Sequence, residues 1–150
     1  MAVMPIYRIV FICTGNTCRS PMAAALARRY LDKCGRGDII IESAGLYADG
    51  APVSAHAAQA MAEIGLDISG HVSHTLTQEQ CAQADVLAVM TAGHAAQLLA
   101  RGAEAGRIYR LGFTQGGIPD PYGGSLETYR AARDRLASAV ERMAADLSLV

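Results

Sequence analysis

The sequence predicts an α/β protein of three layers, a four-stranded parallel sheet with helices on both faces. Three observations predict it. Short runs rich in Val and Ile alternate along the chain with longer Ala- and Leu-rich runs of helical period. Gly- and Pro-containing turns separate them, and such alternation of strand and helix builds a parallel sheet covered on two sides. The last helical run carries an apolar stripe, Tyr129, Ala132, Leu136, Val140, Met143 and Leu147, whose steps of three and four set one face against the sheet.

The first strand covers residues 7–13, where Ile9, Val10, Phe11 and Ile12 follow one another without a polar interruption. The first helix covers 21–34, with Pro21 suited to its first turn and Gly35-Arg36-Gly37 stopping it. Residues 38–42 form a second short strand leading into Ser43-Ala44-Gly45. A loop over 46–52 precedes an Ala-rich helix over 53–64, with Ser54 as its cap and Gly65 at its end. Residues 68–76 read as loop and 77–83 as a short capped helix. The third strand, 85–90, is apolar throughout and so interior to the sheet. A helix over 93–101 ends at Gly102. The fourth strand, 107–111, is weaker and belongs at an edge. A long Gly/Pro-rich loop over 112–124 follows, of a kind often functional in compact domains, and the final helix covers 125–147.

The chemistry concentrates in Cys13-Thr14-Gly15-Asn16-Thr17-Cys18-Arg19-Ser20-Pro21. A cysteine ends a strand, a Gly/Asn turn follows, and an arginine arrives as a helix begins. A loop opening onto a helix N-terminus aims unpaired backbone N–H groups at one spot, and the helix dipole adds positive potential there. Arg19 can grip two oxygens of a phosphate-sized dianion with paired N–H donors. The same field favours a thiolate at Cys13, to which the Ser20 hydroxyl can donate. Gly15 lets the backbone close around a ligand, and Asn16 tolerates a left-handed turn while tying the loop through its amide. Asp120 lies in the fourth loop, at the same edge of the sheet. Asp-Pro holds it extended, and Gly123-Gly124 lets the backbone pass close by.

Bulk properties narrow the classes. The chain has 150 residues, enough for one domain with one core. Its net charge of −1 offers nucleic acid or an anionic membrane no bulk attraction, and no run approaches membrane-spanning length. Residues 1–12 carry Pro5 and Arg8 inside their apolar run and are not read as an export signal. Without one, four cysteines imply free thiols in a reducing cytoplasm. Cys34 and Cys81 have no metal-ligand spacing with each other or with the four histidines, so neither a metal nor another cofactor is expected. The protein is taken as a monomer.

The stretch from Ile12 to Pro21 resembles the signature of the low-molecular-weight protein-tyrosine-phosphatase family. Ser43-Ala44-Gly45, His71, Ala84-Asp85 and Asp120-Pro121-Tyr122-Gly123 also fall in that family's order, so the likeness covers nearly the whole chain. The protein-arginine-phosphatase branch is closer still, through the Cys13–Ala23 run, Met90-Thr91 and the Asp120–Ser125 run. The resemblance implies hydrolysis of phosphorylated proteins in two steps. Cys13 attacks phosphorus, Asp120 protonates the leaving group, and Arg19 and the loop amides hold the cysteinyl-phosphate until Asp120 activates water. It also implies that Thr14, Gly15, Asn16, Thr17, Cys18 and Ser20 bind the phosphate. Tyr47 and Tyr122 would then wall the pocket, while Ser43 braces Asn16 and His71 supports the loop. In the family the second cysteine, here Cys18, can form a reversible disulfide with the nucleophile.

Thr17 stands where phosphotyrosine enzymes of the family usually carry an apolar residue, and Tyr122-Gly123 departs from the paired aromatics of animal members. Both features favour phosphoarginine over phosphotyrosine. Two other readings share some of these motifs. A thioredoxin-linked arsenate reductase needs further relay cysteines, and a cysteine phosphocarrier subunit of a sugar-uptake system needs no acid at Asp120.

Overall fold

The computed structural model describes residues 5–150, so the start of the stretch 1–12 that is read for an export signal lies outside the described residues. Four parallel strands form one sheet in the order β2-β1-β3-β4: β1 Arg8–Cys13, β2 Ile40–Gly45, β3 Val86–Val89 and β4 Ile108–Arg110. Among the described residues five α-helices accompany them: α1 Arg19–Lys33, α2 Ala55–Ala62, α3 Gln78–Gln83, α4 Ala92–Ala100 and α5 Leu126–Asp146. The expected three-layer α/β architecture is present, with β1 and β3 interior and the short β4 at an edge.

Alternation along β1 explains the layering. Ile9, Phe11 and Cys13 face one way and pack with Met22, Leu26, Tyr129, Leu136 and Val140 of α1 and α5. Val10 and Ile12 face the other way, toward Leu87, Val89 and Leu98, with Cys81 and Ala95 against them. Helices therefore cover both faces, and β1 is buried from Ile9 to Cys13 because neither face meets water.

Several boundaries differ from the sequence reading. The second strand starts at Ile40 and runs on through Ser43, Ala44 and Gly45, because pairing with β1 carries it to Gly45 opposite Cys13. Helix α1 begins two residues early, at Arg19, with the Met22 N–H donating to the Cys18 carbonyl at 3.2 Å. Ser54 sits at the N-cap of α2, but its hydroxyl does not cap; it donates to the Tyr129 hydroxyl instead. Thr77, Thr91 and Ser125 do cap α3, α4 and α5, each accepting an N–H three residues on. On α5 the apolar stripe is buried through Met143, while Leu147 is only half-buried.

The register brings the carboxyl ends of the strands together at one edge: Cys13 opposite Gly45, Ile12 opposite Val89, and Val89 opposite Arg110. Ligand sites of open α/β sheets lie beyond such an edge. Gly45 is required there: a Cβ would come within 2.8 Å of the Thr14 carbonyl oxygen. Among the described residues no helix is long and apolar enough to cross a membrane.

Helix α2 is tied to α5 by charge. Arg130 Nη2 lies 2.6 Å from Glu63 Oε2, and Arg133 Nη1 lies 2.9 Å from Glu63 Oε1. Hydrogen bonds from Arg130, then from Arg133, hold the Glu63 carboxyl at about 2, against an ordinary 4.5. A depressed carboxylate contributes stability that is complete above the ordinary value and is lost as pH falls toward the depressed one. Chemical denaturation of the wild-type protein should therefore show stability falling between about pH 4.5 and 2. Glu63→Gln should be less stable at pH 7 and fall less steeply over that range.

Candidate active site

The turn that follows β1 is shaped by one residue. Asn16 is fully buried with φ of 58°, the left-handed conformation that Asn adopts more readily than most non-glycine residues. Gly15 is not at positive φ, and a Cβ there would meet only Thr17 Oγ1 at 3.8 Å. The Asn16 side-chain amide donates to Ser20 Oγ at 2.7 Å and to Ser43 Oγ at 3.1 Å. Its Oδ1 accepts the His74 N–H at 3.1 Å. The Asn16 carbonyl can only accept, so His71 carries its proton on Nε2 and donates at 2.9 Å.

These bonds set the environment of Cys13, which is 3% exposed. The Asn16 N–H donates to Cys13 Sγ at 3.2 Å. Ser20 Oγ lies 2.9 Å from the same sulfur. Because Ser20 Oγ already accepts from Asn16, its own proton is free to point at Cys13. Two donors thus converge on the sulfur.

Arg19 arrives from the first turn of α1 with its side chain 5% exposed. Nη1 donates to the Ile118 carbonyl at 2.9 Å, and Nη2 lies 3.7 Å from Asp120 Oδ2. Asp120 is half in solvent and accepts the Tyr122 N–H on Oδ1 at 3.1 Å, an Asx turn that fixes the carboxyl. The long loop is pinned in turn at Gly117, where φ is +93° and a Cβ would come within 2.7 Å of the Met90 carbonyl.

A pocket of about 210 Å³ opens over Cys13. Thr14, Gly15, Thr17 and Cys18 line it together with Arg19, Asp120 and Tyr122. Tyr47 is not in this inner pocket. It stands 68% exposed in an adjoining groove shared with Thr17 and Tyr122, its ring under the Arg101 guanidinium at 5.1 Å. Ser43 and His71 lie behind the loop and touch it only through Asn16.

Two polar groups beside the loop are missed by the sequence reading. Tyr129, read as part of an apolar stripe, brings its hydroxyl to 3.4 Å from Cys18 Sγ and accepts from Ser54 Oγ at 3.1 Å. Burial, and then the bond to Cys18, push this phenol up to about 12. His94, read simply as part of a helix, is 5% exposed, and its Nε2 lies 2.9 Å from Thr14 Oγ1. Burial, and then the nearby Arg19 charge, lower it to about 4, so it is neutral at pH 7. Its position just past the carboxyl end of β3 was the one available signal. Cys13 and Cys18 are both free thiols. Among the described residues no group of three or more His, Cys, Asp or Glu could hold a metal ion.

Chemically, the pocket offers a sulfur under two donors, a fixed guanidinium and a carboxyl at the mouth. Such a set can bind a tetrahedral oxyanion, attack it in line, and exchange a proton with its leaving group.

The model of the family described as low molecular weight phosphotyrosine protein phosphatase matches residues 8–149. A protein-arginine-phosphatase of Geobacillus stearothermophilus is 41% identical over 147 residues, covering 94% of this chain and 96% of that protein. Among solved structures, a cysteine-to-serine mutant of the YwlE arginine phosphatase with a phosphorylated active site serine superposes with a TM-score of 0.87. It is 32% identical and covers 94% of this chain and 95% of its own. An arsenate reductase of Halalkalibacterium halodurans is 44% identical, but over 90 residues that make up 60% of each chain. A match to the family over nearly every residue, with a cysteine at the floor of its pocket, makes this chain a cysteine-dependent protein phosphatase of the low molecular weight phosphotyrosine protein phosphatase family.

Proposed function

We propose that this phosphatase hydrolyses phosphoarginine on proteins in preference to phosphotyrosine. The observation that carries this reading is Thr17, whose side chain lines both the inner pocket and the outer groove. A hydroxyl at that point can accept a guanidinium N–H, whereas an apolar side chain would pack on a phenyl ring. The identity to a protein-arginine-phosphatase over almost the full chain supports it. So does the open wall, where Tyr122 is 77% exposed and is followed by Gly123 rather than a second aromatic.

The roles follow from the geometry. Cys13 is the nucleophile: its sulfur forms a bond to phosphorus as the bond from phosphorus to the leaving nitrogen or oxygen breaks. Asp120 in its acid form gives that atom a proton. The cysteinyl-phosphate is held by Arg19, the loop N–H groups and the Thr14 and Thr17 hydroxyls that line the pocket, while the buried Ser20 hydroxyl faces the sulfur. Asp120, now a carboxylate, takes a proton from water as the water oxygen attacks phosphorus and sulfur leaves. The phosphorylated active site serine of the YwlE mutant supports a phosphoryl group carried on the residue at the loop's nucleophile position.

The arrangement of the other cysteines argues against an electron relay of the arsenate-reductase kind. Cys34 closes α1 at the far end, about 24 Å along the helix from Cys18 by its rise per residue. Cys81 packs on the opposite face of the sheet from Cys13 and Cys18. A carboxyl poised at Asp120 distinguishes a hydrolase from a phosphocarrier. Because one chain supplies every group of the site, we take it as a single domain acting as a monomer on phosphorylated proteins. Its four free thiols fit a reducing cytoplasm.

Cys13→Ser should lower turnover by about 10³-fold or more while inorganic phosphate still binds in a titration; substantial residual turnover would overturn the scheme. Asp120→Asn should lower kcat about 10²- to 10⁴-fold, with the larger loss on the poorer leaving group. In a side-by-side assay on peptides, Thr17→Ile should raise the phosphotyrosine-to-phosphoarginine rate ratio by about tenfold. An unchanged ratio would remove the phosphoarginine assignment.

A further inference from the structure

His94 sits in the first turn of α4, its backbone N–H held by the capping Thr91 Oγ1 at 3.2 Å. The imidazole is buried beside the pocket and touches it through one atom pair, Nε2 to Thr14 Oγ1 at 2.9 Å. Its other nitrogen, Nδ1, is buried and has no partner. Thr14 is the residue next to Cys13, and its carbonyl is already committed to the Tyr47 N–H at 3.0 Å. Its side chain is set by what His94 offers it.

The unpartnered nitrogen decides how. A neutral imidazole has one proton for two nitrogens. A buried N–H with no acceptor is rarer in folded proteins than an under-used acceptor. The proton therefore belongs on Nε2, where it is donated to Thr14 Oγ1. With its oxygen engaged as an acceptor, the Thr14 hydroxyl has its own hydrogen left to donate into the pocket that it lines. A phosphoryl group, whose oxygens are acceptors, is what such a donor meets.

We propose that His94 is a positioning residue, which orients the Thr14 hydroxyl as a hydrogen-bond donor to the bound phosphoryl group. The proposal rests on the reading of this pocket as the phosphate site. It adds a fixed donor to the loop amides and Arg19, set from a helix on the other face of the sheet from α1. Because burial and Arg19 keep the ring neutral, the same orientation holds at physiological pH.

A double-mutant cycle tests it, reading inorganic phosphate as a competitive inhibitor of the phosphatase reaction. Thr14→Val and His94→Phe should each weaken phosphate about 10- to 100-fold, the worth of one hydrogen bond to a charged group. The double variant should be no worse than either single one. His94→Gln, which keeps an N–H near the Nε2 position, should recover part of the loss. A His94 that only fills space would give losses that multiply in the double variant and no recovery by Gln, and either result overturns the proposal. Should His94→Phe fail to fold, Thr14→Val, an exposed change, decides alone: phosphate affinity equal to wild type overturns the proposal. Wild-type protein that ignores phosphate would overturn the phosphate-site reading itself, and this proposal with it.

Discussion

The left-handed turn at Asn16 is the constraint on which the site depends. A buried carboxamide is costly unless its donors and acceptor are all used, and Asn16 uses them on Ser20, Ser43 and His74. Its backbone is spent as well, the N–H on Cys13 Sγ and the carbonyl on His71. One residue thereby joins the sulfur, the helix that carries Arg19, the end of β2 and the 68–76 loop. The turn costs strain at a non-glycine residue, and the surrounding bonds offset it.

The sheet supplies what the turn cannot. Parallel strands ending in register bring four loops to one edge, and each contributes at a different depth. The loop after β1 provides the floor, the loop after β2 the outer wall at Tyr47, the start of α4 the support at His94, and the loop after β4 the carboxyl. Burial decreases outward. Cys13, Asn16, Arg19 and Ser20 are buried, Asp120 is half exposed, and Tyr47 and Tyr122 stand mostly in solvent. The polar groups around the sulfur are thus built into the core, while the aromatic residues at the rim stand exposed.

Much of this was legible in the sequence, because it is written locally. Hydrophobic period and turn residues located every strand and helix, and the chemistry of the first loop lies within nine consecutive residues. The missed features are non-local. The extension of β2 to Gly45 comes from pairing with β1, not from the propensity of Ser43-Ala44-Gly45. Tyr129 and Cys18 are 111 residues apart, and His94 and Thr14 are 80 apart. A tyrosine at helical spacing reads as core, and it is core, yet its hydroxyl ends at the thiol. The cap at Ser54 failed for the same reason: the tyrosine hydroxyl competed for the serine and won.

Arg19 is fastened to the long loop by a main-chain carbonyl, that of Ile118. A tether of that kind recognises the path of the backbone and is indifferent to the side chains along it. Evolution is accordingly at liberty to rewrite the outward residues of that loop without loosening the buried guanidinium at the pocket wall.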